Sequence, residues 1–288
     1  MQEIGPNVFI ETGFAGVTLG VITMGSGVIM VDAPFLPEDI RSWRSSLAMM
    51  NGGTDRFLIN LDAHVDRIVG ARAMDCIVVG QEELAQIFQT RPFPYRLQSM
   101  TTGAEWENYE SLGTFRWAPP ELTFKNEMTM HWDDMPVVLQ QCCGAELGSL
   151  WVNLPSQRIL FLGDLVIPNQ PPFLANAQIP LWVETLNLLL EPEFDGYTLI
   201  GGRSGVIRQE DVRWQIRFLE KVQNLLEELK DQNTPESEIE AMIPCLMAEF
   251  EDSPSQMALF QKRLNWGLTM YYLRNYFPEN IKETEAKD

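Results

Sequence analysis

Short apolar runs with glycine-containing breaks open the chain. NVFIET, GVTLGVITM and GVIMVDA are β-branched and predict strands. Pro37 and Glu38 then open a predicted helix, PEDIRSWRSSLAMM, which stops at Asn51-Gly52-Gly53. RFLIN and DCIVVG predict further strands, and QEELAQIFQ predicts a helix. Strands return in ELTF, EMTMHW, PVVLQQCC, SLWVNL and RILFLGD, the last two forming a hairpin that turns at Pro155-Ser156-Gln157. PLWVETLNLLL predicts a helix and YTLIGG a last strand. From about residue 208 the period becomes helical, with Val212, Ile216, Leu219, Val222, Leu226 and Leu229 on one face. Thr234-Pro235 supplies an N-cap and first-position proline for the next helix. Ser253-Pro254-Ser255-Gln256 has the capping-box pattern for the final one.

This order predicts an α+β fold in which sheet packs on sheet with helices outside. Residues 91–120 are rich in aromatics and proline and show no clean period. Two readings stay open for them: a lid or binding loop, or an insertion that packs on the core.

Composition narrows the function classes. The net charge is −19 over 288 residues, which repels phosphate backbones and argues against nucleic acid as a ligand. No apolar run reaches the length of a membrane span, and MQEIGPNVF has neither the basic nor the apolar region of a signal peptide. Cys76, Cys142, Cys143 and Cys245 form no CxxC pair, so free thiols in a reducing, cytoplasmic setting are expected. Cys142 and Cys143 should point to opposite faces of a strand.

Only two histidines occur. His131, in MTMHWDD, reads as an ordinary histidine. His64 lies in LDAHVDR, boxed between aspartates and an arginine at the end of a predicted strand. No G-x-S-x-G elbow, P-loop or G-x-G-x-x-G appears. Apolar packing explains Cys142 and Cys143 better than a Cys–His64 pair does.

Four stretches, in order, resemble the metallo-β-lactamase fold superfamily of metal-dependent hydrolases: GVIMVDAP, FLINLDAHVDRIVGARAM, GAELGSLWVNLPSQRILFLGD and LIGGRSG. The resemblance covers roughly residues 5 to 205, and PPELTFKNEMTMHW is similar to the region before the second metal motif. It implies a four-layer αββα sandwich over residues 1–207, with residues 208–288 as a helical extension packed on it. It also implies that Asp32 is the structural aspartate ending an early strand.

Carried over position by position, the resemblance puts Asp62 where the first motif histidine would stand. His64 and Asp66 are kept. Arg67 stands at the motif's last histidine, Ala145 at the next motif's histidine and Arg203 at the final one. The bridging aspartate is kept as Asp164. Such proteins hold zinc, iron or manganese, whose charge makes bound water ionise near neutral pH. Arginine cannot ligate a metal, because its guanidinium stays protonated and has no lone pair to offer.

Arg67 and Arg203 are therefore expected at the second metal site, their charge replacing the ion's beside Asp66 and Asp164. The leading expectation is a pseudoenzyme without cofactor whose cleft binds an anionic small molecule or a partner protein. The alternative is a hydrolase of ester, thioester or lactam bonds with one divalent ion on Asp62, His64 and Asp164. A third expectation is a structural or assembly subunit. Trp266, Tyr271, Tyr272, Tyr276 and Phe277 on the last helix could form a homodimer face.

Overall fold

The computed structural model describes residues 1–50, 53–90, 95–96, 102–109, 114–115, 118–231 and 236–278. In chain order the first half holds strands β1 (Gln2–Gly5), β2 (Val8–Glu11), β3 (Leu19–Thr23) and β4 (Gly27–Val31), helix α1 (Pro37–Ala48), β5 (Asp55–Ile59), the one-turn α2 (Val65–Ile68), β6 (Ile77–Gln81), α3 (Glu82–Thr90), β7 (Tyr95–Arg96), β8 (Thr114–Phe115) and β9 (Leu122–Phe124). The second half holds β10 (Glu127–Trp132), β11 (Met135–Gln141), β12 (Leu150–Leu154), β13 (Ile159–Gly163), α4 (Ile179–Leu188), β14 (Thr198–Gly201), β15 (Gly205–Ile207), α5 (Gln209–Asp231), α6 (Ile243–Met247) and α7 (Pro254–Tyr276).

Among these residues one sheet runs β1-β2-β3-β4-β5-β6-β9 and the other β10-β11-β12-β13-β14-β15, with β7 and β8 as a separate pair. Side-chain alternation builds the layers. In β4 the entire strand is buried, but Ile29 and Val31 face the space between the sheets while Val28 and Met30 pack with Trp43 and Leu47 of α1. In β13, Ile159 and Phe161 face the inter-sheet core, and Leu160 and Leu162 face α4, α5 and α7. The result is the expected order of helix, sheet, sheet and helix.

The C-terminal helices share their core with the second sheet. Val212, Ile216, Leu219, Val222 and Leu226 of α5 and Tyr271 and Tyr272 of α7 are buried in it, with Tyr276 and Phe277 packed alongside. Ser253 caps α7 by accepting from the Gln256 amide at 3.4 Å. The capping box is only half formed, because the Ser253 amide donates to Asp252 at 2.6 Å instead of to Gln256. Four strands carry no clear signal in the sequence: β1, β7, β8 and β15. All are short, and β15 sits where the pattern is already turning helical. Thr234-Pro235 lies outside the described residues, as do Asn51 and Gly52 of the expected α1 stop. No helix among the described residues is long and apolar enough to cross a membrane.

The sheets meet closely at Gly20 of β3, where an added Cβ would lie 2.6 Å from Phe161. Gly20→Ala should lower stability by about 1–3 kcal/mol through overpacking, and Phe161→Leu in the same chain should recover part of the loss. Urea unfolding of both single variants and the double variant would measure the coupling.

Candidate functional site

Asp32, Asp62, Asp164 and Arg203 all follow the C-terminal ends of strands, in the order β4, β5, β13 and β14. β4 runs parallel to β5, and β13 to β14, so these ends gather on one edge of the sandwich. The backbone there is unusual. Asp32 has φ 58° and Gly163 φ 60°, the left-handed region that aspartate and glycine tolerate best. Asp32 holds its turn by accepting from the Leu61 amide at 3.0 Å. LDAHVDR folds on itself: the His64 amide donates to Asp62 at 3.0 Å, and Asn60 closes the loop by donating to the Arg67 carbonyl at 3.1 Å.

Arg67 is fully buried and lies under the site. Its guanidinium pairs with Asp32 and Asp164, and its Nε lies 3.1 Å from Asp62 Oδ2. It passes so close to Gly202 that any β-carbon there would collide with it. Arg203 bridges the other carboxylates. Its Nε donates to Asp164 at 2.8 Å, and its two terminal nitrogens donate to Asp66 at 2.6 and 3.1 Å. It also ties the sheets together by donating to the Gly16 carbonyl at 2.9 Å. Arg203 thus pairs with both Asp66 and Asp164, whereas Arg67 pairs with Asp164 and also with Asp32 and Asp62, and makes no ion pair with Asp66.

His64 Nδ1 sits 3.1 Å from Asp62 Oδ1 and 3.3 Å from Asp164 Oδ2, and its Nε2 lies 3.5 Å from Glu146 Oε2. Burial opposes its charge, but Asp62, Asp164 and Glu146 outweigh that and push its pKa up to about 9. Burial likewise works against the carboxylates. Arg67 and His64 nevertheless hold Asp62 well below the usual range, and Arg203 and Arg67 do the same for Asp164. Asp32 is pushed up to about 6, because burial exceeds what it gains from one guanidinium shared with two other aspartates.

Three contributors carried little or no sequence signal. Glu146 is buried beside Ala145, the one clue to its presence, and burial raises its pKa. Phe173 has two guanidiniums near its ring, Arg203 4.6 Å and Arg263 4.1 Å from the centroid, and His64 packs on it at 4.7 Å. Arg263, from α7, is buried and lowered to about 9 by burial and by Arg203. Ala145 is buried and offers no donor. His131 is exposed on β10. Cys142 and Cys143 lie just past β11, one buried and one exposed, and burial pushes the Cys142 thiol well up, away from a nucleophilic thiolate.

Beside this network lies a cavity of about 200 Å³ between the LDAHVDR loop and α7. Trp106 from the 91–120 stretch forms part of its wall, as do Trp266 and Met270 of α7. Arg67 and Arg203 do not line it. Aspartates surround both guanidiniums.

The donor chemistry does not fit a binuclear metal centre. Both oxygens of Asp66 face Arg203, Asp164 is shared between two guanidiniums, and position 145 has no donor. For a single ion, Asp62, His64 and Asp164 do bring ligand atoms within 4.8 Å of one another. His64 Nδ1 is also a buried nitrogen with no hydrogen-bond partner.

With this geometry in view, solved structures give the fold. The stereoselective inverting sec-alkylsulfatase Pisa1 from Pseudomonas sp. superposes with TM-score 0.70 and 17% identity over 97% of this chain. This chain spans about half of that protein, 51%. A metallo-β-lactamase from Pontibacter korlensis matches at TM-score 0.59 and 15% identity, over 76% of this chain and 97% of its own. A β-lactamase domain protein from Burkholderia ambifaria matches at 0.64 and 14%, over 95% and 89%. The chain has the metallo-β-lactamase fold. By sequence, no family model and no curated protein matches it.

Arg67→Met should cost about 3–5 kcal/mol in urea unfolding, because it strands three buried carboxylates without their shared cation. Stability should also fall as pH rises. His64 titrates near 9 when folded and near 6.5 when free, so its contribution is whole below 6.5 and lost by about 9. Urea midpoints across that window should drop for the native chain, and His64→Gln should flatten the profile.

Proposed function

We propose that this protein is a metallo-β-lactamase-fold pseudoenzyme whose binuclear centre is replaced by an internal ion network, leaving the adjoining cavity as a binding pocket. The observation that carries this reading is Arg203 clasping Asp66 with two nitrogens and Asp164 with a third. A guanidinium in that place supplies the positive charge a metal would bring, yet it cannot polarise and ionise a water. The carboxylates stay satisfied and the fold keeps its edge, while hydroxide generation at neutral pH is lost.

A second reading is a mononuclear hydrolase with one divalent ion on Asp62, His64 and Asp164. The proximity of their ligand atoms favours it. Against it, Arg203 already donates to Asp164 Oδ2, the oxygen that also faces His64, and a cation there would meet two neighbouring guanidiniums.

Elemental analysis after incubation with zinc, iron or manganese separates the two. The pseudoenzyme reading expects metal far below one ion per chain and no chelator-sensitive hydrolysis of ester, thioester or lactam probes. Restoring donors together, with Asp62→His, Arg67→His, Ala145→His and Arg203→His, should raise zinc uptake. Stoichiometric metal on the native chain with hydrolysis abolished by chelation would establish the second reading instead.

A further inference from the structure

The cavity beside the ion network carries a more specific assignment, resting on its reading as a binding pocket. Its wall is largely apolar, with Val65, Trp106, Phe173, Leu174, Trp266 and Met270 among the residues that form it. An apolar cavity of about 150 Å³ holds a benzene ring, so about 200 Å³ suits a ring with a small substituent. Most polar groups on the wall are already engaged. Arg263 donates to Gly103 at 2.9 Å, Gln170 at 2.8 Å and Pro171 at 3.0 Å, and it stacks on Phe173. Asn176 donates to Glu146 Oε1 at 2.7 Å, and the Leu147 amide donates to the same oxygen at 3.0 Å. Thr102 is turned to Glu107.

Two further polar atoms lie together on the wall: Glu146 Oε2 and His64 Nε2, 3.5 Å apart. That separation is long for a bond between them, but a group bridging both could bond each. The bridging group must accept from the ring nitrogen's proton and donate to a carboxylate oxygen. A hydroxyl does both at once, whereas a carboxylate lacks the donor and an ammonium lacks the acceptor.

We propose that the cavity binds a neutral, single-ring hydroxyl compound, its ring among Trp106, Trp266 and Met270 and its hydroxyl bridging His64 Nε2 and Glu146 Oε2.

Calorimetric titration of the full chain with p-cresol, toluene, benzoate and benzylamine tests this. The expected result is saturable p-cresol binding about tenfold tighter than toluene, the effect of one buried hydrogen-bonding head. Benzoate and benzylamine should bind more weakly than p-cresol. Glu146→Leu should erase the preference for p-cresol over toluene while keeping toluene binding. Met270→Trp, or Met270→Phe if the first does not fold, should fill the cavity and abolish both while leaving the circular dichroism unchanged. No p-cresol binding at millimolar concentration, equal binding of toluene, tighter binding of either ion, or indifference to a folded cavity-filling variant would each overturn the assignment. Metal content is a separate readout: an ion on the native chain would overturn the pseudoenzyme reading and leave this ranking of ring compounds to stand or fall by itself.

Discussion

Everything at the edge of this sandwich depends on one constraint: four buried aspartates must be neutralised without leaving the protein. Asp32, Asp62, Asp66 and Asp164 are at most 2% exposed. Isolated ionised carboxylates in such a place would cost far more than a domain's whole stability. Arg67 and Arg203 meet that demand by geometry as much as by charge. Arg67 reaches three aspartates from beneath because Gly202 leaves room for its guanidinium. Arg203 reaches the other side and ties the β14–β15 turn to the loop before β3. The ends of four strands are thereby pinned to one another.

The same network explains the character of the cavity next to it. Because aspartates surround the Arg67 and Arg203 guanidiniums, neither lines the pocket. Phe173 marks the boundary, with the Arg203 and Arg263 guanidiniums both near its ring, and it presents carbon to the cavity. The last helix then supplies aromatic and thioether side chains as a roof, so a segment read as an extension contributes directly to the pocket.

Much of this was legible in the chain. Strand periodicity, the hairpin at Pro155 and the order of the four motif-like stretches identify the layers. Arg67 and Arg203 stand out in the chain because the resemblance puts histidines at those positions. What could not be read is partner choice. Asp32 and Arg67 are 35 residues apart, and only the parallel pairing of β4 with β5 brings them together. Phe173 and Arg263 belong to no motif and meet only because α7 folds back over the site. Glu146 was hidden for a different reason, since its neighbour Ala145 held the position the motif drew attention to.

Gly202 carries a consequence for any redesign of this edge. A β-carbon at 202 would collide with the Arg67 guanidinium, so the two positions are matched, and the four aspartates share the two arginines. Replacing either arginine by histidine alone would forfeit the ion pairs before a complete ligand set existed. Rebuilding a set of metal ligands at this edge therefore requires changes at several distant positions together. The network is a coupled set, in which a substitution at one member is felt by all the others.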